Sequence, residues 1–118
     1  MNKKVNVIFS EEAEKIYEYF KLKSQFKKLE NTIFNAIDQK VELIKADYHY
    51  GNPIAKNKIP EEYIIKYGVT NLFRVELPKY WRMLYTLKDG KEKIEIIAFV
   101  TDIIDHKQYD KKFGYKKK

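Results

Sequence analysis

The chain has 118 residues, 24 basic and 17 acidic side chains, a formal charge of +7 and no cysteine. One domain with its own core fits that length, and the missing cysteines exclude a disulfide framework, a thiolate metal site and a cysteine nucleophile. The basic excess favours an anionic partner, most commonly nucleic acid, and no apolar run approaches the ~20 residues that span a bilayer.

The start, MNKKVNVIFSEEAEK, turns acidic too early for a secretion signal, so the cytoplasm is the expected compartment. Residues 5–9 (VNVIF) are short, β-branched and alternating, which predicts a strand. Ser10 before Glu11, Glu12 and Ala13 predicts a helix N-cap with acids in the first turn. Ala13, Ile16, Tyr17 and Phe20 continue at helical spacing, and Leu29, Ile33, Ile37, Val41 and Ile44 form a second helical stripe. KSQFKK between them predicts a tight turn between two antiparallel helices. These stripes are most simply core.

Residues 47–60 (DYHYGNPIAKNKIP) lose all periodicity and predict a loop, followed by a short helical stretch that Gly68 ends. His49 in that loop is more often an incidental residue than a catalytic one. LFRVEL, WRMLYTL and KIEIIAFV then predict three strands, with Pro78 making LPKY a turn. Asp89-Gly90 predicts a type I′ hairpin, which needs positive φ. Asp105 with Gln108 three residues later predicts a capping box opening a final short helix. The expected fold class is α+β: two N-terminal antiparallel helices on one face of a four-stranded, mainly antiparallel sheet, with a short C-terminal helix. The other sheet face is expected to be free.

No phosphate-cradling glycine loop, HExxH or EF-hand pattern is present, and two histidines make no conventional zinc site. No cofactor and no metal ligand set is expected. What stands out is cationic and aromatic. Arg74 and Arg82 are the two arginines in a chain that otherwise uses lysine. A guanidinium offers phosphate a bidentate fork that an ammonium lacks. The competing reading for each is a structural ion pair with Glu76 or Glu95. His106, able to donate or accept a proton near neutrality, stands close to Lys107, Tyr109, Lys111, Lys112 and Tyr115. Alone, it would read as a surface residue at a helix start. RNA cleavage needs little more than this set: the substrate's 2′-hydroxyl attacks, and the protein supplies charge, an acid, a base and aromatic faces for splayed bases. The terminal DHKQYDKKFGYKKK is thus expected to be an active-site helix with a basic extension, of which residues 116–118 are frayed.

FRVELPKYWRMLYTL followed by IEIIAFVTDIIDHKQYDKKFG resembles the RelE/ParE superfamily of toxin–antitoxin toxins, particularly the RelE- and HigB-like messenger-RNA endonucleases. Trp81, Arg82, Met83, Leu84 and Tyr85 match its aromatic-Arg-aliphatic-aliphatic-Tyr strand. His106, Tyr109 and Asp110 match a His-x-x-Tyr-Asp signature that follows the last strand in HigB-like members. The element order fits the family over essentially the whole chain as a single domain of residues 1–118, although the first 60 residues match only in pattern.

The resemblance implies a cytoplasmic toxin, neutralised by a cognate antitoxin protein, that meets messenger RNA in the ribosomal A site and cuts it without a metal. It further implies a homodimer or a toxin–antitoxin hetero-oligomer, and no membrane partner. Arg82 matches the family's phosphate-binding arginine, and Arg74 falls where RelE-like members place a catalytic lysine. Glu76 falls where they place a second lysine, a reversal of charge for which His106 is expected to compensate. The resulting expectation assigns catalysis to Arg74, Arg82, His106, Lys107 and Tyr109, and RNA binding to Lys111, Lys112 and Tyr115. Two alternatives share the outline: a ParE-like toxin that inhibits DNA gyrase, and an inactive RelE-fold RNA-binding protein.

Overall fold

The structure, a computed structural model, describes residues 3–92 and 94–114. The expectations for Tyr115 and for the frayed end at 116–118 lie outside the described residues. Strand β1 (Lys4–Phe9) runs into helix α1 (Glu11–Lys23), and α2 (Lys28–Ala46) follows. A two-residue strand β2 (Asn52–Pro53) and a 3-10 turn (Lys56–Lys58) lead to α3 (Glu61–Tyr67). Strands β3 (Phe73–Leu77), β4 (Trp81–Asp89) and β5 (Glu95–Asp105) then precede α4 (His106–Phe113). The fold is α+β, but the sheet has five strands, ordered β1-β5-β4-β3-β2, and it is mixed. Strand β1 lies parallel to β5, while the other three pairings are antiparallel. No helix among the described residues is long and apolar enough to cross a membrane.

Strand β1 and helix α1 are joined by a local device. Ser10 Oγ accepts the Ala13 N–H at 3.0 Å, the N-cap bond its position predicts. The same hydroxyl donates to the Thr101 carbonyl at 2.7 Å. Thr101 is the unpaired residue of a β-bulge: Tyr85 faces Val100 and Leu84 faces Asp102, so Thr101 has no partner across the ladder. Its own hydroxyl donates to the Leu84 carbonyl at 3.3 Å. Ser10→Ala is expected to remove a cap and leave a buried carbonyl unsatisfied, costing about 3 kcal/mol in all. Thermal unfolding should show a midpoint about 10 °C lower; an unchanged midpoint would mean the bulge needs no support.

The bulge has a topological consequence. Ala98 and Val100 point into the main core before it, and Ile103 does so after it, with the parity shifted by one. Asp102 and Ile104 are thereby turned to the opposite face. The main core lies between α1 and α2 on one side and the sheet on the other, with Ala13, Phe20, Ile33, Ile37 and Ile44 meeting Val75, Met83 and Tyr85. Each fully buried isoleucine contributes ~2 kcal/mol. Tyr17 donates to Asp38 at 2.8 Å and packs on Phe34, tying α1 to α2.

Two further expectations are corrected. The second sheet face is covered: Leu72, Leu84 and Ile104 pack against Ile59, Tyr63, Val69 and Tyr109 of α3, α4 and neighbouring turns. Leu84 and Ile104 are apolar and cannot face water, so the later helices fold over them. The β4–β5 turn is not a two-residue type I′ turn either. Asp89 pairs with Ile96, the Gly90 N–H reaches the Glu95 carbonyl at 3.0 Å, and Gly90 has no positive φ. A Cβ at Gly90 would meet the Glu95 side chain, which would have to shift to admit it.

Candidate nucleic-acid interface

On the second face, the β3–β4 register sets Glu76 opposite Arg82 and Arg74 opposite Leu84. Alternate residues of a strand share a face, so Arg74, Glu76 and Arg82 project together toward α4. The capping box starts α4 where β5 ends: Asp105 Oδ1 accepts the Gln108 N–H at 2.9 Å and Gln108 Oε1 accepts the Asp105 N–H at 3.3 Å. Helical spacing then puts His106, Tyr109, Asp110 and Phe113 on the side facing the arginines.

Tyr109, 3% exposed, is the hub. The Arg82 guanidinium lies 4.4 Å above its ring and that of Arg74 at 5.8 Å, while Arg74 Nη1 donates to its hydroxyl at 3.1 Å. Phe113 stacks on it at 4.3 Å. A desolvated cation over an aromatic face is worth about 2 kcal/mol. Glu76 bridges the two arginines, with one carboxylate oxygen 3.1 Å from Arg74 Nε and the other 3.4 Å from Arg82 Nε. Glu95, the other acid considered as a partner, is engaged elsewhere, accepting from Asn6 Nδ2 and from the Lys91 N–H.

His106 Nε2 lies 3.2 Å from Asp110 Oδ2, and Nδ1 lies 3.4 Å from Arg82 Nη1. Guanidinium nitrogens only donate. The tautomer consistent with both neighbours carries its proton on Nε2, toward Asp110, and turns the Nδ1 lone pair toward Arg82. The result is a carboxylate-oriented imidazole whose basic nitrogen touches a phosphate-binding type of side chain.

Four expected site residues therefore meet: Arg74, Arg82, His106 and Tyr109. The surface is not purely basic, since Glu76 lies between the two guanidiniums and Asp110 lies beside His106. Arg82 is largely buried, its side chain 16% exposed against 50% for His106. Lys107 and Lys111 are exposed and lie on the other side of α4 by helical phase, four residues apart. Lys112 turns into a different cleft, pairing with Glu62 at 2.9 Å and Asp102 at 3.7 Å. Glu76, the ion-pair partner considered for both arginines, and Asp110, the last residue of the His-x-x-Tyr-Asp match, belong to the cluster; Tyr80, whose ring centroid is 6.1 Å from that of His106, joins it without having been expected there. A shallow cleft of about 190 Å³ opens beside Arg74 and Tyr109, walled by Asn52, Ile54 and Lys58.

The Lys112 cleft, about 340 Å³, holds an ordered network of its own. Tyr63 donates to Asp102 Oδ2 at 2.7 Å. Burial raises the Asp102 carboxyl above its ordinary value, opposed by the Tyr63 hydrogen bond and by Lys112. A carboxyl with a raised folded-state value adds stability below its unfolded value of 3.8 and loses it as pH climbs through the folded value. Asp102→Asn removes that loss, so its melting midpoint relative to wild type should rise between pH 4 and pH 7. A difference that narrows over this range would put the sign of the shift wrong.

Comparison of the chain with family models, with curated proteins and with solved structures finds no match.

Proposed function

We propose that this chain is the toxin of a toxin–antitoxin pair, an endoribonuclease that cuts messenger RNA in the ribosomal A site by 2′-hydroxyl attack. The observation that carries the reading is the juxtaposition of a carboxylate-oriented imidazole with a pair of guanidiniums. In this reading a scissile phosphate takes the position that Glu76 now fills, its non-bridging oxygens gripped by Arg82 and Arg74. Engaging Arg82 with phosphate frees the His106 Nδ1 lone pair, which accepts the 2′-hydroxyl proton. The 2′-oxygen bonds to phosphorus, the bond to the 5′-oxygen breaks, and that leaving oxygen takes a proton from water, while His106 returns its acquired proton to solvent afterwards. Charge growing on the phosphoryl oxygens in the transition state is met by fixed guanidiniums, the largest expected contribution.

The resemblance to RelE- and HigB-like toxins supports the reading, as do the +7 charge and the placement of His106 and Tyr109 against Arg82, with Asp110 beside His106. Action in the cytoplasm, a cognate antitoxin and the ribosome as partners follow from the same proposal. A second reading, an RNA-binding protein without nuclease activity, is favoured by one observation: Glu76 pairs with both arginines and offsets half of their charge. Induced expression separates these from a gyrase inhibitor. Protein synthesis should stop before DNA replication, with message ends clustered at codon boundaries; early replication arrest with intact messages would sink the nuclease reading.

Glu76 itself is open to test. If it holds the place of phosphate, Glu76→Gln should bind RNA on the order of tenfold more tightly, about 1.4 kcal/mol, with a steeper salt dependence. Weaker binding by the variant would mean that the carboxylate orients the arginines for RNA and does not compete with it.

A further inference from the structure

The connection from β3 to β4 is a three-residue loop, Pro78-Lys79-Tyr80, closed by the pairing of Leu77 with Trp81. Lys79 has φ 59° and ψ 38°, and Tyr80 has φ 65°. Loops of this length usually place glycine or asparagine where left-handed backbone is required. Two consecutive bulky residues there carry strain of about 1 kcal/mol or more each. Burial of the tyrosine does not offset it, because Tyr80 is 74% exposed. Other rings of this chain are exposed as well, Phe26 and Tyr19 among them, so the place of Tyr80 matters more than its exposure. The fold holds this one in water, 6.1 Å from the His106 ring and two residues ahead of Arg82.

We propose that Tyr80 is a base-stacking platform, a subsite that takes the nucleobase next to the phosphate held by Arg74 and Arg82. This rests on the RNA reading of the arginine cluster and adds a recognition element to it. The other rings at the cluster are committed: Tyr109 is buried beneath the guanidiniums and stacked on Phe113. Among the described residues, Tyr80 is the aromatic that meets the cluster from solvent. Single-stranded RNA offers unpaired bases whose π-faces stack on such a ring with little regard to sequence. The tilted His106 ring, 54° from the Tyr80 plane, closes one side. A base resting on Tyr80 would draw its neighbouring phosphate toward Arg82, so that stacking positions the strand for attack.

The test compares the full chain's affinity for a single-stranded RNA of about ten nucleotides with its affinity for an abasic oligomer of equal length and charge. Tyr80→Ala is expected to weaken RNA binding roughly 5- to 150-fold and to leave abasic binding unchanged. Tyr80→Phe should retain wild-type affinity for both. Tyr80→Gly should lose RNA affinity as the alanine variant does while melting higher than wild type, since glycine takes left-handed backbone without strain; this separates lost stacking from lost folding. Equal RNA affinity for Tyr80→Ala and wild type, or an equal drop on the abasic oligomer, overturns the proposal. If Arg82→Ala weakens both oligomers and Tyr80→Ala neither, the stacking subsite falls and the arginine reading stands. A wild-type chain that binds neither oligomer overturns both.

Discussion

Arg82→Ala is expected to slow RNA cleavage by roughly 10²–10³-fold, the usual loss when one preorganised donor to a developing oxyanion is removed. Arg82 is held by three neighbours, the Tyr109 ring, Glu76 and His106. The Tyr109 ring stays beneath it when phosphate replaces Glu76, so the guanidinium is already positioned as charge develops in the transition state. Arg82→Lys is expected to recover only part of the rate, because an ammonium supplies charge without the planar fork. The side chain is largely buried, so the alanine variant should also be less stable by about 1 kcal/mol. Rates must be measured well below its melting midpoint. Full activity in Arg82→Ala would remove it from the site.

The second large effect belongs to His106. Its replacement by alanine should lower the rate roughly 10²–10⁴-fold, the range of general acid–base contributions. Asp110→Ala should fall between wild type and His106→Ala, because it leaves the imidazole but removes the carboxylate 3.2 Å from its Nε2. His106 is half exposed and lies at the first turn of α4. Thermal stability in both variants should thus change little while single-turnover cleavage collapses. Equal activity of His106→Ala and wild type would assign proton transfer to another group.

The sequence was informative wherever structure is decided within a few residues. Ser10 with its acidic followers, the Asp105/Gln108 box and Gly68 all mark helix ends through bonds spanning three or four positions, and each lies where it was expected. Strand β2 was invisible because Asn52 and Pro53 pair only by meeting Arg74 and Phe73 in space. The parallel docking of β1 on β5 likewise bridges the length of the chain. The covered second face had a signal, since Leu84 and Ile104 alternate with core residues yet are themselves apolar. Within the site, the helical phase of α4 separates Tyr109 and Asp110 from Lys107 and Lys111, and it could have been applied to the sequence directly. Glu76 was legible as a candidate partner of either arginine, but its choice over Glu95 and its bridge to both depend on strand register. Tyr80 was hidden for another reason: Pro-Lys-Tyr contains no residue that advertises positive φ.

Cleavage of a translating messenger by the purified chain, with a single 2′-deoxy substitution at the mapped cut, tests the central claim most directly. The all-ribose message should be cut to give a 2′,3′-cyclic phosphate on one fragment and a 5′-hydroxyl on the other, and the deoxy-substituted message should stay whole at that position. Cutting of both at the same rate, or of neither on translating ribosomes, would contradict a 2′-hydroxyl-driven nuclease built on Arg82 and His106.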